Sequence, residues 1–227
     1  AGSGTHTVTY TFTDTTGCAL TSAQNTTVLP LPTPVPICLV TVDSSNNSTR
    51  NYVVWEKPVV SNIDSFRIYR RISSVMTPLA TIAYDAISMF IDSVNGVSPK
   101  NTAHDYAISV IDTCGVEGIK SDSNSTIHLA APIFNLPASF ALTWTDYDGF
   151  TFANYEIWRD GNGTGSWTQI NTVAYAAPNT YTDNVAPSLS VRYRIRATAP
   201  AICTANGSNI FKYTLSNITD DYTGVSE

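Results

Sequence analysis

The hexapeptide FRIYRR at residues 66–71 recurs 89 residues later as YEIWRD at residues 155–160. Both begin with an aromatic residue, which is followed by a charged residue, isoleucine, a second aromatic residue and arginine. Further pairs keep this offset to within two residues: Trp55 and Trp144, Cys114 and Cys203, Tyr106 and Tyr193, Asp92 and Asp183. Similarity at one fixed period indicates an internal repeat, and about 90 residues are enough for one β domain. The sequence therefore predicts two copies of one module.

Short runs of alternating polar and apolar residues fill both copies, and clusters of Asn, Ser, Gly and Pro separate them. This pattern is typical of the strands of an antiparallel sandwich. The predicted strands are 38–43, 51–57, 65–71, 78–83, 87–92, 104–112 and 120–129 in the first copy, and 138–145, 154–159, 166–174, 179–183, 189–198 and 208–216 in the second. No segment has helical periodicity of useful length. The predicted fold class is all-β, with tandem Ig-like β-sandwiches.

The N-terminal segment is a predicted hairpin outside the two copies. Residues 5–13, THTVTYTFT, place threonine at every second position, which indicates a half-buried strand. DTTGC at 14–18 is typical of a turn, and ALTSAQNTTVL at 19–29 is predicted to be the returning partner strand. Because a lone hairpin is only marginally stable in water, we expect its missing strands upstream of Ala1. The PLPTPVP stretch at 30–36 favours polyproline II and a semi-rigid linker.

Composition and charge limit the class of protein. Charged residues make up 13% of the 227 residues, about half the usual share for a globular protein, and Ser, Thr and Asn take their place. This composition is typical of an extracellular all-β surface. The net charge of −6 argues against a nucleic-acid partner. No apolar run approaches the roughly 18–20 residues of a transmembrane helix.

Each copy has a tryptophan on its second strand, an aromatic-x-Ile pattern on its third and Tyr-x-Ile on its sixth. These landmarks resemble a fibronectin type III module, and the resemblance covers residues 37–219. It implies that Trp55, Trp144, Tyr106 and Tyr193 are core anchors. It also implies that each tyrosine hydroxyl bonds back to nearby backbone, as in a tyrosine corner. Such modules serve as spacers, adhesins and receptors alike, so this fold does not assign a function.

A narrower resemblance is carried by the stretches ICLVTVD, NYVVWEKP, DTCG, STIHL and LTWTDYDGF. They resemble paired modules near the end of large secreted proteins of Bacteroidota, which often use type IX secretion. The tail SNITDDYTGVSE resembles the segment before the C-terminal sorting domain of that pathway. HTVTYTFTDTTGC resembles the last two strands of an Ig-like or PKD-type repeat. These resemblances imply an extracellular or bacterial cell-surface location.

The predicted domain organisation combines the repeat with these resemblances. It comprises the last hairpin of an incomplete Ig-like or PKD-type domain at 1–30, a Pro-rich linker at 31–36, type III-like module 1 at 37–130, type III-like module 2 at 131–219, and at 220–227 a linker to a missing sorting domain. The AAPIFNLP junction between the modules is too short to let them swing freely. It therefore predicts a rigid pair.

The four cysteines, Cys18, Cys38, Cys114 and Cys203, are far apart and lack the spacing of a zinc or redox site. In the type III topology the start of the first strand and the end of the sixth lie at the same pole. The resemblance therefore implies a Cys38–Cys114 disulfide, with two buried free thiols as the alternative. The partner of Cys18 is expected upstream, and Cys203 is expected to be free or paired with another chain.

The segment VRYRIRATA at 191–199 alternates more regularly than any other. Its apolar residues would face the core and project Arg192, Arg194 and Arg196 outward in a row. Trp158 has the outward parity on the third strand, which neighbours the sixth in the type III topology. Two interpretations stay open: a cation–π and ion-pair ladder that covers the sheet, or a binding surface for an anionic glycan or an acidic partner.

Candidate catalytic and metal-binding residues are few. TDYDGF at 145–150 contains part of a calcium loop, but the closing acid is missing and a turn requires the same residues. His6, His104 and His128 lie on separate predicted strands. No nucleophile elbow, zinc-protease motif or phosphate loop occurs. We predict no enzyme activity, no cofactor and no metal site, and leave calcium binding open.

The predicted function is a non-enzymatic structural or adhesive region of a secreted or cell-surface multidomain protein, acting as a spacer or assembly module. The expected partners are other extracellular domains or surface proteins, with polysaccharide and self-assembly as further options. One alternative is an accessory region of a secreted hydrolase. Another is a carbohydrate-binding module that uses Trp158, Tyr147 and Phe150, which exposed aromatic side chains in one plane would favour.

Overall fold

The computed structural model describes residues 2–43, 45, 48–60, 62–94, 96–135, 139–186, 190–205 and 209–219. The strands in chain order are β1 (Gly4–Thr13), β2 (Ala19–Val28), β3 (Ile37–Val42), β4 (Asn51–Trp55), β5 (Ile63–Ile72), β6 (Val75–Ala83), β7 (Met89–Asp92), β8 (Asp105–Asp112), β9 (Asn124–Ser125), β10 (Ile133–Asn135), β11 (Ser139–Thr143), β12 (Asn154–Asp160), β13 (Trp167–Ala174), β14 (Thr180–Asp183), β15 (Arg192–Cys203) and β16 (Phe211–Leu215). The described residues contain no α-helix, and all the strand pairs are antiparallel. The predicted all-β fold class is confirmed. No helix of the described ranges has the length and apolar character to span a membrane.

Each module is a sandwich of a three-stranded and a four-stranded sheet. Module 1 has the orders β3-β4-β7 and β6-β5-β8-β9, and module 2 has β10-β11-β14 and β13-β12-β15-β16. The order is thus the same in both modules, as a duplicated sequence requires. The strands β1 and β2 form a separate two-stranded sheet.

The core of each module is centred on the repeated aromatic residues. Trp55 lies 5.4 Å from Phe66 between ring centroids, and at the same offset Trp144 lies 5.7 Å from Tyr155. Tyr106 and Tyr193, with Ile108 and Ile195 two residues on, are fully buried. All four predicted anchor residues therefore lie in the hydrophobic core.

Several strands differ from their predicted bounds by two or three residues, and three elements differ in more than their bounds or by more than that. β10 lies in the AAPIFNLP stretch, which was predicted to be a junction. Its three residues are too few to show the alternation of a strand. Of the predicted strand 120–129, Asn124–Ser125 pair with β8, while Ser125 and Leu129 form bridges to module 2 at Asp148 and Trp144. β15 extends five residues beyond its predicted end at 198, to Cys203.

Candidate functional site

A buried carboxylate joins the two sheets of module 1. Asp92, at the end of β7, accepts hydrogen bonds from Arg70 Nη1 and from the Tyr106 hydroxyl, both at 2.6 Å. Arg70 and Tyr106 belong to the opposite sheet, so Asp92 links the layers. Burial, together with the charge of Asp92, raises the pKa of the Tyr106 hydroxyl well above its usual value. The hydroxyl therefore stays protonated and donates.

Module 2 repeats this arrangement. Asp183 Oδ2 accepts from Arg159 Nη1 at 2.9 Å and from the Tyr193 hydroxyl at 2.8 Å. In each module the aspartate also accepts the backbone N–H two residues further on, at 3.1 Å. Each tyrosine hydroxyl thus bonds to a carboxylate, whereas the resemblance implied a bond to nearby backbone. The sequence repeat included the aspartates and arginines but did not show that they meet.

The outer face of the four-stranded sheet of module 2 carries a row of stacked cations and aromatic rings, here called the arginine ladder. The Arg196 guanidinium lies 4.2 Å from the Trp158 ring centroid and 4.8 Å from that of Tyr213. Arg194 lies 4.2 Å from the Trp167 centroid and 5.9 Å from that of Trp158. Trp158 is thus among the arginines. Trp167 and Tyr213 were not predicted to belong to this face, although they lie on β13 and β16, the strands that flank β12 and β15.

Arg192 completes the ladder, with its guanidinium 5.9 Å from the Trp167 ring centroid. Its Nη2 donates to Asp160 at 2.5 Å. Asp160 is buried, and it also accepts the backbone N–H of Gly165 at 2.7 Å. Burial acts to raise the pKa of Asp160, but these hydrogen bonds outweigh it and hold that pKa below its usual value. Asp160 therefore holds both the arginine ladder and the following turn.

A second carboxylate neutralises Arg196. Glu156 accepts from Arg196 Nε at 2.8 Å, from the Trp158 indole N–H at 3.1 Å and from the Thr198 hydroxyl at 2.7 Å. Burial would raise the pKa of Glu156, but the bonds from Thr198, Arg196 and Trp158 together lower it below its usual range. The ion pair is largely shielded from water, with 21% and 15% of the two side chains exposed.

Arg194 is the ladder cation without a carboxylate among the described residues. Its guanidinium lies between the two indoles, its Nε is buried without a hydrogen-bond acceptor, and burial lowers its pKa. Stacking on the two rings is therefore the interaction that holds it. Because guanidinium groups already occupy the indole faces, this geometry favours the covering ladder over a ligand surface.

The disulfide joins the two modules and not two strands of module 1. Cys38 of β3 is bonded to Cys203 of β15, 165 residues apart in sequence, with a Cα–Cα distance of 6.0 Å. The predicted Cys38–Cys114 bridge is wrong, and so is the expectation that Cys203 is free or bonded to another chain. Cys114 is exposed in the turn after β8, whereas the extension of β15 carries Cys203 onto β3. Cys18 is also an exposed thiol.

Around the disulfide the modules share a second hydrophobic cluster, here called the module junction. Leu39 and Val54 of module 1 contact Cys203 and Ala205 of module 2, and all four are buried. The sequence contains a signal for this contact. ICLVTV in β3 has apolar residues at both odd and even positions, which is typical of a strand covered on both faces.

Hydrogen bonds extend the module junction along the strands. Thr214 Oγ1 of β16 donates to the Val40 carbonyl at 2.7 Å, and the Leu215 N–H donates to Thr41 Oγ1 at 2.9 Å. The Asn217 side chain accepts the Leu129 N–H at 2.8 Å and donates to the Leu129 carbonyl at 2.9 Å. These bonds lie beside the disulfide and add to the contact between the two modules.

The remaining candidate residues do not converge. Within the described ranges no three His, Cys, Asp or Glu side chains are grouped as metal ligands would be. Asp146 accepts from Asn179 Nδ2 at 2.6 Å. The three histidines bond separately: His6 to Gly2, His104 to Ser98 and His128 to Lys100.

The aromatic plane expected for a carbohydrate-binding module does not form. Tyr147 is buried, and its ring lies 4.6 Å from that of Phe150 between centroids, on the side of module 2 that faces the module junction. Trp158 lies in the arginine ladder instead. The three side chains therefore cannot present one flat stacking surface.

Comparison with known proteins gave no matching family and no matching curated protein. Similar solved structures include the FN1–FN3 domains of chicken CNTN1, 11% identical over 92% of this chain and 76% of that chain, with a TM-score of 0.35. The chicken interferon gamma receptor alpha chain is 11% identical over 83% and 99%, with a TM-score of 0.31. A tetra-tandem repeat from the extending region of a large adhesion protein is 13% identical over 95% and 56%, with a TM-score of 0.27. These are tandems of fibronectin type III-like domains, and at such identities and TM-scores they carry no functional argument.

Proposed function

We propose that this chain is a non-enzymatic structural region of a secreted or cell-surface multidomain protein, in which two sandwich modules act as one rigid unit that positions neighbouring domains. The observation that carries the proposal is the Cys38–Cys203 disulfide across the module junction. A freely jointed spacer needs no such bond, because each sandwich is large enough to fold alone. The bond instead fixes the angle between the modules.

The disulfide also supports an extracellular location. Structural disulfides persist in oxidising compartments and are rare in the cytosol. The Ser-, Thr- and Asn-rich surface suits the same location. The further proposals of a bacterial cell surface and of type IX secretion rest on the sequence resemblances alone, and the tail 220–227 lies outside the described residues.

The first test is peptide mapping of the unreduced protein followed by urea unfolding. Mapping should recover Cys38 joined to Cys203. The double variant C38S/C203S should lose about 2–5 kcal/mol of unfolding free energy, since the chain-entropy model gives about 5 kcal/mol for so long a loop. The two modules should then unfold in separate transitions.

The matched control is C18S/C114S, which removes two exposed thiols and should leave the unfolding free energy within about 0.5 kcal/mol of wild type. Recovery of Cys38 bonded to Cys114 would contradict the proposal. So would a C38S/C203S variant that still unfolds in one transition with unchanged stability.

A further inference from the structure

The Pro-rich segment 30–36, here called the linker strap, packs against module 1 along part of its length. Pro32 is buried, and Val35 belongs to the hydrophobic core with 7% of its surface exposed. Thr33 and Pro36 are exposed. Buried residues three positions apart match the three-residue turn of polyproline II, with one side of the segment against a surface. The strap is therefore a packed element, where the sequence predicted a semi-rigid linker between domains.

A glycine of module 1 allows the close approach of the strap. A Cβ atom added at Gly118 would lie 2.4 Å from the Pro32 carbonyl oxygen and 3.1 Å from the Pro32 Cβ. The first distance is far inside van der Waals contact, so a side chain at position 118 and this placement of Pro32 exclude each other. The φ of Gly118 lies outside the left-handed region, unlike that of Gly115. Glycine is therefore required at position 118 for space and not for its backbone conformation.

The short segment that carries Gly118 is fixed to the four-stranded sheet of module 1. The Gly118 N–H donates to the Val110 carbonyl of β8 at 2.8 Å. The neighbouring Glu117 carboxylate accepts from Arg67 Nη1 of β5 at 2.6 Å and from Ser109 Oγ of β8 at 2.5 Å. Gly118 cannot move away from the strap without breaking these bonds. A side chain introduced at position 118 would therefore displace the strap and not the sheet.

On another side the strap borders an apolar cavity of about 430 Å³, whose opposite wall is the segment 56–63 that leads from β4 into β5. That wall is itself held in place, because the Tyr84 hydroxyl donates to the Pro58 carbonyl at 2.7 Å. Lys57 Nζ donates to the carbonyls of Tyr84 and Ala86. Since the cavity separates the strap from this wall, the contact with Gly118 supplies much of the close packing of Pro32.

We infer that the linker strap is a docking element that fixes the direction in which the chain enters module 1, and that Gly118 is the residue that permits this docking. The inference rests on the proposed rigid unit and extends it from the two modules to the linker. A domain joined to residue 30 is then held at a set angle to module 1. A free linker of the same length would let that domain sample many angles.

The test is the mobility of a nitroxide spin label on the strap of the intact chain. Thr33 is exposed, so T33C in the C18S/C114S background provides a single reactive thiol while the disulfide between the modules stays intact. The electron paramagnetic resonance spectrum should show slow label motion, with the urea-unfolded chain as the mobile reference. G118A adds the one methyl group that Pro32 excludes, and should shorten the rotational correlation time of the label at least threefold.

The matched control is Gly2→Ala, because nothing lies within 4 Å of a Cβ atom at that position, and it should leave the label motion unchanged. P32G removes the proline ring from the strap and leaves module 1 as it is. It should therefore mobilise the label even if G118A lowered the stability of the module.

A label that is already mobile without G118A, or one that stays slow in both G118A and P32G, would overturn the inference. Peptide mapping of the disulfide does not depend on Gly118. Failure of strap docking is therefore distinguishable from failure of the proposed function.

Discussion

At the scale of single residues, Asp92 and Asp183 each place a carboxylate where water cannot reach it. Such a group is costly to bury unless donors compensate it. In each module one arginine and one tyrosine from the facing sheet supply those donors. Because the donors come from the other layer, the compensation also sets how the two sheets of the sandwich face each other.

Tyr106→Phe should lower the unfolding free energy by about 1–3 kcal/mol, because it removes a donor from a buried carboxylate while keeping the ring. Tyr193→Phe should have a similar effect in module 2. Urea unfolding followed by tryptophan fluorescence measures both. Tyr175→Phe is the control, since Tyr175 is half exposed. Equal stabilities for Tyr106→Phe and Tyr175→Phe would show that the bond to Asp92 contributes nothing.

Glu156 gives the arginine ladder a pH dependence of defined sign. Its folded pKa lies below its usual value, so the folded state binds its proton less readily than the unfolded state. Its contribution to stability is therefore complete above the unfolded pKa of about 4.3 and is lost as the pH falls below that through the folded pKa. Glu156→Gln removes this contribution.

The urea midpoint of wild type should exceed that of Glu156→Gln at about pH 7, and the difference should shrink between about pH 5 and pH 3. Thr182→Ser, at an exposed strand position, is the control, and its urea midpoint should stay close to that of wild type at every pH in this range. A gap between wild type and Glu156→Gln that stays constant down to pH 3 would mean that Glu156 ionises equally in both states.

Strand parity made part of the arginine ladder predictable. Alternation alone placed Arg192, Arg194 and Arg196 on one face, and strand adjacency placed Trp158 beside them. Trp167 could not be placed in the same way, because the pairing of β12 with β13 shifts register between Ile157 and Trp158. A bulge of this kind depends on how the strands pair and leaves little trace in the alternation of either strand.

At the scale of elements, the contact between β16 and β3 has no counterpart within a single sandwich. β16 is the edge strand of its own sheet, and its Thr214 side chain turns away from that sheet's pairing to reach the Val40 carbonyl. Thr214 is fully buried. The edge of module 2 is thus covered by module 1, which protects it from pairing with other chains.

Thr214→Val should lower the unfolding free energy by about 1–2 kcal/mol. The side chain keeps its shape, but the buried Val40 carbonyl loses the hydroxyl donor of Thr214. The matched control is Thr182→Val on β14, an exposed strand threonine, which should stay within about 0.5 kcal/mol of wild type. Urea unfolding of the oxidised protein measures both. If the two variants were equally stable, the Thr214–Val40 bond could not be holding the module junction.

At the scale of the whole molecule, the repeat was predictable and the arrangement of its copies was not. The landmarks Trp55, Tyr106 and their partners lie inside each sandwich, so they recur at one offset. The disulfide joins Cys38 to a residue whose repeat equivalent, Cys114, lies in a solvent-exposed turn. Contacts between modules break the symmetry of the repeat, so repeat analysis cannot find them.

The disulfide also determines how the chain responds to tension. A pull that enters through the Pro-rich linker and leaves beyond Thr219 reaches Cys38 at one end and Cys203 at the other, and the covalent bond transmits it directly. Cys38 and Cys203 are 165 positions apart, so the residues between them bear none of this force. On the order of 550 Å of contour length therefore stays folded. While the bond is oxidised, the two modules behave as a nearly inextensible link, and its reduction would convert them into a long extensible tether.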